Sequence, residues 1–418
     1  MCAGLTQDGA SLGNSIVILS GFPFPSAEFT TREGKPLIRI RDLMTGGTTE
    51  TNFRTSFDSS YLIQRGDILI GMDGDFNVVR WPGAEALLNQ RVCKVSANSP
   101  ELDGQFLYWW LKPHVVAIHR RTPQTTVRHL SVGDIYGIPK PPLQRGAQQF
   151  AAAALNAVDE AITKTQAVIA KLKQLRAGLL HDLLTRGLDE HGQLRDPVAH
   201  PEQFQDSPLG RIPHGWKMRM LSDCVHSQIT YGIVQAGPQV EGGVPYIRTG
   251  DMIGSDLRID GLLRTSRDVA AAFQRSEVHT GEIVCAIRAT LGKVLDVPPE
   301  LDGANLTQGT ARIAPKPELN SRFVLWALRS DSAQRQFTLQ AKGTTFPEIT
   351  LGNLRQLRIP LPQSRQEQDR IVEMIETQEE ILRLAERELS KLQSLKSGLM
   401  NDLLTGRVRV PEGIAVTG

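Results

Sequence analysis

Along two stretches of the chain, apolar residues recur in alternating steps of three and four. Leu155, Val158, Ile162, Thr165, Ile169, Leu172, Arg176, Leu179 and Leu183 follow this spacing in the first. Ile375, Gln378, Leu382, Ala385, Leu389, Leu392, Lys396, Leu399 and Leu403 follow it in the second. A period of 3.5 residues is a heptad seam, which favours left-handed pairing with another helix. The stretches end in KLKQLRAGLLHDLLTRG and KLQSLKSGLMNDLLTGR, and Gly178 falls against Gly398, an offset of 398 − 178 = 220 residues. Solenoid repeats recur at roughly 20–50 residues, so an offset this long points to two duplicated halves. Both seams carry a small residue midway (Thr165, Ala385) and a cation near the end (Arg176, Lys396), which makes each helix the simplest partner for the other. A helix of ~40 residues is about 60 Å long at 1.5 Å per residue. Lys164, Lys171, Lys173 and Arg176 flank the first seam and are expected to stay in water.

Before each helix lies a block of short β-branched runs bounded by turn residues. In the first block PLIRIRDL (36–43), GDILIGM (66–72) and QRVCKV (90–95) read as strands, and FLYWWL (106–111) as a short buried helix. In the second, PYIRTGDM (245–252), GEIVCAI (281–287), LTQGTARI (306–313) and FVLWAL (323–328) replay them in order, setting Trp109 against Trp326. TTVRHLSVGDIYGIPKPP and TTFPEITLGNLRQLRIPLP close the two blocks, and Ile138-Pro139 and Pro141-Pro142 stop regular structure in the first. The offset drifts from 245 − 36 = 209 at Pro36 to 326 − 109 = 217 at Trp109, so insertions fall in loops between shared scaffold pieces. Gly187 reads as the glycine that ends the first helix, and the polar, proline-rich stretch after it reads as a linker rather than a core segment.

The expected order is a first block at 1–142, a central helix at 143–187, a linker at 188–207, a second block at 208–363, a C-terminal helix at 364–407 and a tail at 408–418. The expected fold class is α+β: two α/β blocks joined by two long antiparallel helices in a coiled coil, with pseudo-twofold symmetry. Antiparallel pairing would set the blocks at opposite ends of a rod.

Composition changes this picture little. Hydrophobic residues make up 40% and charged residues 22%, as in an ordered soluble chain. With 47 basic against 45 acidic residues the net charge is +2, so any basic surface must be local. Cys2, Cys93, Cys224 and Cys285 lie far apart without a CxxC, which argues against zinc and suggests reduced thiols in the cytoplasm. The early apolar run from Ser15 to Ser20 is too short for a membrane span and lacks a basic flank, so no targeting segment is expected. Catalytic motifs are missing. The sequence has no GxxxxGK[ST] phosphate loop, no FxGxG with [ND]PP[YFW] and no HExxH among its nine histidines. VPPE at 297–300 lacks both the Asp or Asn that would hold a target amino group and the aromatic that would stack on a flipped base.

The order block, helix, block, helix resembles the specificity subunit of type I restriction–modification systems. The resemblance covers nearly the whole chain and is carried by LLHDLLTRG and LMNDLLTGR, the stretch LDEHGQLRDP…SPLGRIPHGW, the twin entries IPKPPL and IPLPQ, and SGFPFPSAEF at 20–29. The first half departs from the pattern: it has no counterpart of PLGRIPHGW, and RGAQQF (145–150) is a degenerate version of RQEQDRI (365–371). The resemblance implies a non-catalytic subunit in which each block is a target recognition domain for one half of a split, asymmetric DNA target. The helices would set the unread gap and dock partner subunits. The implied partners are double-stranded DNA, two methylation subunits that use S-adenosylmethionine on adenine and, in the restriction complex, motor–nuclease subunits. No cofactor is expected in this chain; S-adenosylmethionine, and ATP and Mg for restriction, would belong to the partners. The implied setting is the cytoplasm, in phage defence, with no membrane.

Reading DNA requires cations for phosphates and planar donors for base edges. The candidates in the first block are Arg39, Arg41, Arg54, Asn77, Arg80, Arg120, Arg121, Gln124, Thr125 and Arg128. In the second they are Arg248, Arg264, Arg267, Arg288, Lys342, Thr344 and Thr345. Residues 120–126 and 341–345 fall at equivalent places and set cations beside hydroxyl residues. Arg39 and Arg248 match as strand positions and are also candidates for ion pairs with Asp42 and Asp251. Trp109 and Trp326 are surrounded by apolar neighbours, which favours core packing over stacking on bases. Two other functions compete: a stand-alone methyltransferase or nuclease with a divergent site, and a coiled-coil scaffold with two protein-binding heads. Methyl transfer by the isolated chain would favour the former, and sequence-specific protection of DNA by the assembled complex would exclude the latter.

Overall fold

The computed structural model describes residues 11–123, 128–343 and 347–408. It divides into two compact units, one of Met1–Ala167 and Arg387–Gly418, the other of Val168–Glu386. The division falls inside both long helices, Arg145–Thr185 and Arg365–Leu404, so each unit holds a part of each.

Within each unit the two helix segments run antiparallel. In the first, Ala151, Ala152 and Leu155 share a core with Leu403 and Leu404, and Asp159 pairs with Lys396. In the second, Leu183 and Leu184 meet Ile371, Val372 and Ile375, Arg176 pairs with Glu379, and Lys173 Nζ lies 2.9 Å from Glu386 Oε1. The heptad positions are the covered ones in each unit: Leu155 and Ile162 in the first, and Ile169, Ile375 and Leu382 in the second, are buried, and Leu172, Leu179, Leu389, Leu392 and Leu399 are half-buried. Burying one such side chain is worth about 1.5–3 kcal/mol, enough for a helix pair whose flanks stay wet.

The blocks share a topology. In the first unit Ile16–Ser20, Val92–Ala97, Ile68–Gly71 and Val78–Arg80 form an antiparallel sheet in that spatial order. In the second, Thr230–Tyr231, Thr310–Ile313, Ile283–Ala286 and Val294–Asp296 repeat it. Each unit also carries a parallel pair, Lys35–Ile38 with Ala86–Leu88 and Val244–Ile247 with Asn305–Leu306. A helix rich in aromatic residues backs each antiparallel sheet. Its start is capped by Asp103, whose Oδ1 accepts from Phe106 N at 2.9 Å, or by Asn320, whose Oδ1 accepts from Phe323 N at 3.2 Å. Just behind these caps, Gln148 Oε1 takes Asp103 N at 2.8 Å and Gln368 Oε1 takes Asn320 N at 2.9 Å, which ties each block to its long helix.

Three expectations need correction. The strands read in PLIRIRDL and PYIRTGDM stop at Ile38 and Ile247, and tight turns follow at Ile40–Met44 and Thr249–Asp251. Their cause is a carboxylate: Asp42 Oδ2 accepts from Arg39 N at 2.9 Å, and Asp251 Oδ2 accepts from Arg248 N at 3.0 Å. The first aromatic helix runs on through Pro113 to Arg121, because Val115 and Ile118 continue its apolar face. In the second unit the helix breaks at Ser330 into Ser321–Arg329 and Asp331–Gln340. The stretch after the first long helix is also no loose linker. Leu188 is buried in the core of the second unit with Ile212 and Trp216. Glu367 holds it there, accepting from Leu188 N at 3.0 Å, Arg195 Nη1 at 2.7 Å and Trp216 Nε1 at 3.0 Å. Gly187 turns this corner at φ +61, and a Cβ there would meet Glu367 Oε1 at 2.5 Å.

Candidate nucleic-acid interface

Several of the candidate arginines are committed to the scaffold. Arg248 forks onto Asp251, Nε to Oδ2 at 2.9 Å and Nη2 to Oδ1 at 3.1 Å, and these hydrogen bonds hold its guanidinium pKa above the usual value. Arg39 places Nε 3.5 Å from Asp42 Oδ2 and gives Nη2 to Thr51. Arg80 points inward rather than into a loop. Its Nη1 donates to Asn156 Oδ1 at 3.0 Å and its guanidinium lies 4.4 Å from the Tyr108 ring centre, where burial lowers its pKa. Arg54 Nε donates to Glu28 at 2.9 Å, and Arg264 Nη1 to Gly243 O at 2.8 Å. Asn77 is half-buried, while Arg41 and Arg267 stand exposed. Trp109 and Trp326 are core residues, at 0% and 2% exposure.

Arg120, Arg121 and Arg128 in the first unit, and Arg288 and Lys342 in the second, lie where the hairpin after the central strand meets the chain returning from the aromatic helix. In the first unit Leu130 N donates to Met72 O at 2.8 Å, Met72 N to Arg91 O at 2.9 Å and Gly74 N to Arg128 O at 3.1 Å. This frame gathers Asp73, Arg91, Arg128 and His129. His119 joins them, its Nε2 2.9 Å from Arg128 Nη1, and Arg120 and Arg121 follow it at the exposed end of the helix. In the second unit Ile349 N donates to Ile287 O at 3.0 Å and Ile287 N to Gly309 O at 3.0 Å, which repeats the first two of these bonds with other side chains. There Arg288 forks onto Glu348, Nε and Nη2 each 3.0 Å from a carboxylate oxygen, and Lys342 stands exposed beside them. Gln124, Thr125, Thr344 and Thr345 lie outside the described residues.

The two frames carry opposite polarity. Asp73 faces His129 (Oδ1 to Nδ1, 2.7 Å) where Arg288 faces Glu348. Around the first, Arg91, Arg120, Arg121 and Arg128 outnumber the hairpin carboxylates Asp73 and Asp75, which suits a polyanion. Beside it an open cleft of ≈ 600 Å³ is lined by His114, Arg121, His129 and Asp134 among others. Sequence reading missed Arg91, His119 and His129. For Arg91 the signal was present, because matching LNQRVCKV to LTQGTARI sets it against Gly309.

Other chemistry is not assembled nearby. Cys93, Cys224 and Cys285 are free and buried, and burial pushes the Cys93 and Cys224 thiols up to about 12 and about 11, so neither offers a thiolate at neutral pH. Among the described residues no His, Cys, Asp and Glu group is placed to hold a metal ion, and no helix is long and apolar enough to cross a membrane.

Comparison with known proteins agrees with this layout. The family model described as type I restriction modification DNA specificity domain matches residues 16–174 and 213–394. The specificity subunit of the Escherichia coli type I restriction enzyme EcoBI is 29% identical over 369 residues, covering 86% of this chain and 76% of its own. The MjaVIII specificity subunit of Methanocaldococcus jannaschii is 24% identical, covering 84% and 80%. The crystal structure of a type I restriction–modification S subunit from M. genitalium superposes with a TM-score of 0.60 at 18% identity, over 96% of this chain and 98% of that one. A chain from a structural study of type I complex assembly and conformational transition gives 0.52, also at 18% identity, over 96% and 99%. The fold and the match across both blocks place this chain in the type I restriction–modification DNA specificity family, as a specificity subunit.

Proposed function

We propose that each block of this specificity subunit reads one half of a two-part, asymmetric DNA target, and that the long helices set the unread gap between the halves. One observation carries the reading: a matching pair of backbone hydrogen bonds frames Asp73, Arg91 and His129 in one unit and Arg288, Gly309 and Glu348 in the other. A shared frame with unlike side chains fits two readers of unlike sequence. Catalysis then resides in partner subunits: two methylation subunits acting on adenine with S-adenosylmethionine and, for restriction, motor–nuclease subunits using ATP and Mg, all in the cytoplasm. Two docking places are supported by Leu175 and Leu395, equivalent helix positions that are 53% and 50% exposed, since large apolar side chains left in water mark contact surfaces when they recur in patches. Val168 adds to the patch at Leu175 one heptad away, and Ile381 and Leu384 are likewise exposed.

Mapping modified adenines in DNA from cells that carry the complex tests this. The expected result is two unlike half-sites separated by a fixed unread gap. A continuous target, or two identical halves, would contradict it. Binding by the complex should also weaken with salt, with a log–log slope of about −0.9 per phosphate contacted.

A further inference from the structure

Arg91 occupies the turn before Val92–Ala97 at φ +71. A side chain in this left-handed region is strained and glycine is not. The second unit has Gly309 at the same place, and its backbone is not in the left-handed region, so the strain belongs to the first unit's turn alone. Packing does not explain the arginine, because its side chain is 59% exposed. A strained, exposed side chain that a sister turn does without points to a use for that side chain.

Its surroundings indicate which use. Arg91 Nε lies 3.5 Å from Asp73 Oδ2. Asp73 is itself held through Oδ1 by His129 Nδ1 at 2.7 Å. The main chains of Arg91 and of Asp73's neighbours belong to the frame already described, with Met72 N on Arg91 O and Gly74 N on Arg128 O. The guanidinium therefore leans on Asp73 through an exposed ion pair at Nε, and its two terminal nitrogens have no hydrogen-bond partner among the described residues. An arginine held this way presents a planar pair of donors, the group that matches O6 and N7 of guanine in the major groove. Contact with a phosphate would need only the charge, not a buttressed orientation.

We infer that Arg91 reads a guanine in the half-target of the first unit, with Asp73 and His129 as positioning residues. The inference rests on the reading of the chain as a two-part DNA reader. It is tested with the full chain in its complex, by selecting bound sequences from random double-stranded DNA. The wild type should show a guanine in one half. Arg91→Gly should lower discrimination at that base by at least about fivefold, leave the other half unchanged, and keep or raise the thermal midpoint because the turn is relieved. Arg91→Lys, which keeps the charge and loses the paired donors, should lose the same preference, and Asp73→Asn should weaken it. A uniform loss of affinity with all base preferences intact, restored by Arg91→Lys, overturns the inference in favour of a phosphate contact. An unchanged target in Arg91→Gly, or a wild-type target without guanine, overturns it while the two-part reading stands. A wild type with no two-part target brings down the reading on which it rests.

Discussion

Trp109 and Trp326 hold the same place in the two units but have different neighbours. Trp109 Nε1 donates to Asn156 Oδ1 at 2.9 Å, and Asn156 also takes Arg80. In the second unit Glu376 stands for Asn156 and Asp296 for Arg80. Arg322 spans the two carboxylates, Nη1 2.7 Å from Asp296 and Nε 2.5 Å from Glu376, while Trp326 Nε1 has no hydrogen-bond partner among the described residues. Each ring keeps cations over its face: Lys112 and Lys396 at 5.5 and 5.0 Å from Trp109, Arg329 at 4.8 Å from Trp326. The apolar frame is common and the polar groups have been exchanged. A packed core tolerates little change in shape, whereas a polar network can be rewritten if it closes again on itself. That freedom lets one scaffold carry two unlike reading surfaces.

The largest expected difference between the units lies at their helix starts. Glu367 gathers Leu188, Arg195 and Trp216, and its counterpart in the first long helix is Ala147. Glu367→Ala strands a half-buried arginine and a buried indole N–H, so it should cost about 3 kcal/mol in denaturant unfolding, while Ala147→Glu should stay within about 1 kcal/mol. Equal losses would break the comparison. Gln148 and Gln368 are the opposite case, being both buried and bonded alike. Gln148 Nε2 also donates to Leu143 O at 2.8 Å, and Gln368 Nε2 to Pro362 O at 2.9 Å. Each substitution to Ala should cost about 2 kcal/mol, and a cost in one unit alone would refute their equivalence.

The smallest effect is a pH dependence confined to the first unit. Burial holds His114 below the ordinary imidazole value of 6.5, and the position matching it in the second unit is Asp331. The unfolded chain therefore takes up a proton that the folded one resists. Stability from this site is complete above pH 6.5 and falls as the pH drops below that value. His114→Gln should flatten the acid side of the first unit's unfolding profile and leave the second unit's profile as it was.

The duplication, the helix pairing within each unit and most strands were legible because they depend on periodicity, which is local. Pro113 hid the length of the first aromatic helix, since a proline reads as a stop although the apolar face formed by Val115 and Ile118 continues past it. The turns after Ile38 and Ile247 depend on Asp42 and Asp251 reaching back three residues, a pattern that a strand reading of PLIRIRDL overrides. The fate of individual arginines was illegible for a different reason. Arg80 is consumed by Asn156 and Arg288 by Glu348, partners far off in sequence that only the fold brings near. The frame that collects Asp73, Arg91 and His129 is likewise built from three separate segments.

The central claim, that one scaffold carries two independent readers, is tested most directly by a chimera. Residues 208–363 would be replaced by the corresponding block of a relative with a different target, and modified adenines sequenced in cells carrying the chimeric complex. The account predicts that one half of the target changes to the relative's, while the other half and the gap stay as in the wild type. Change in both halves, or retention of the original target, would contradict it.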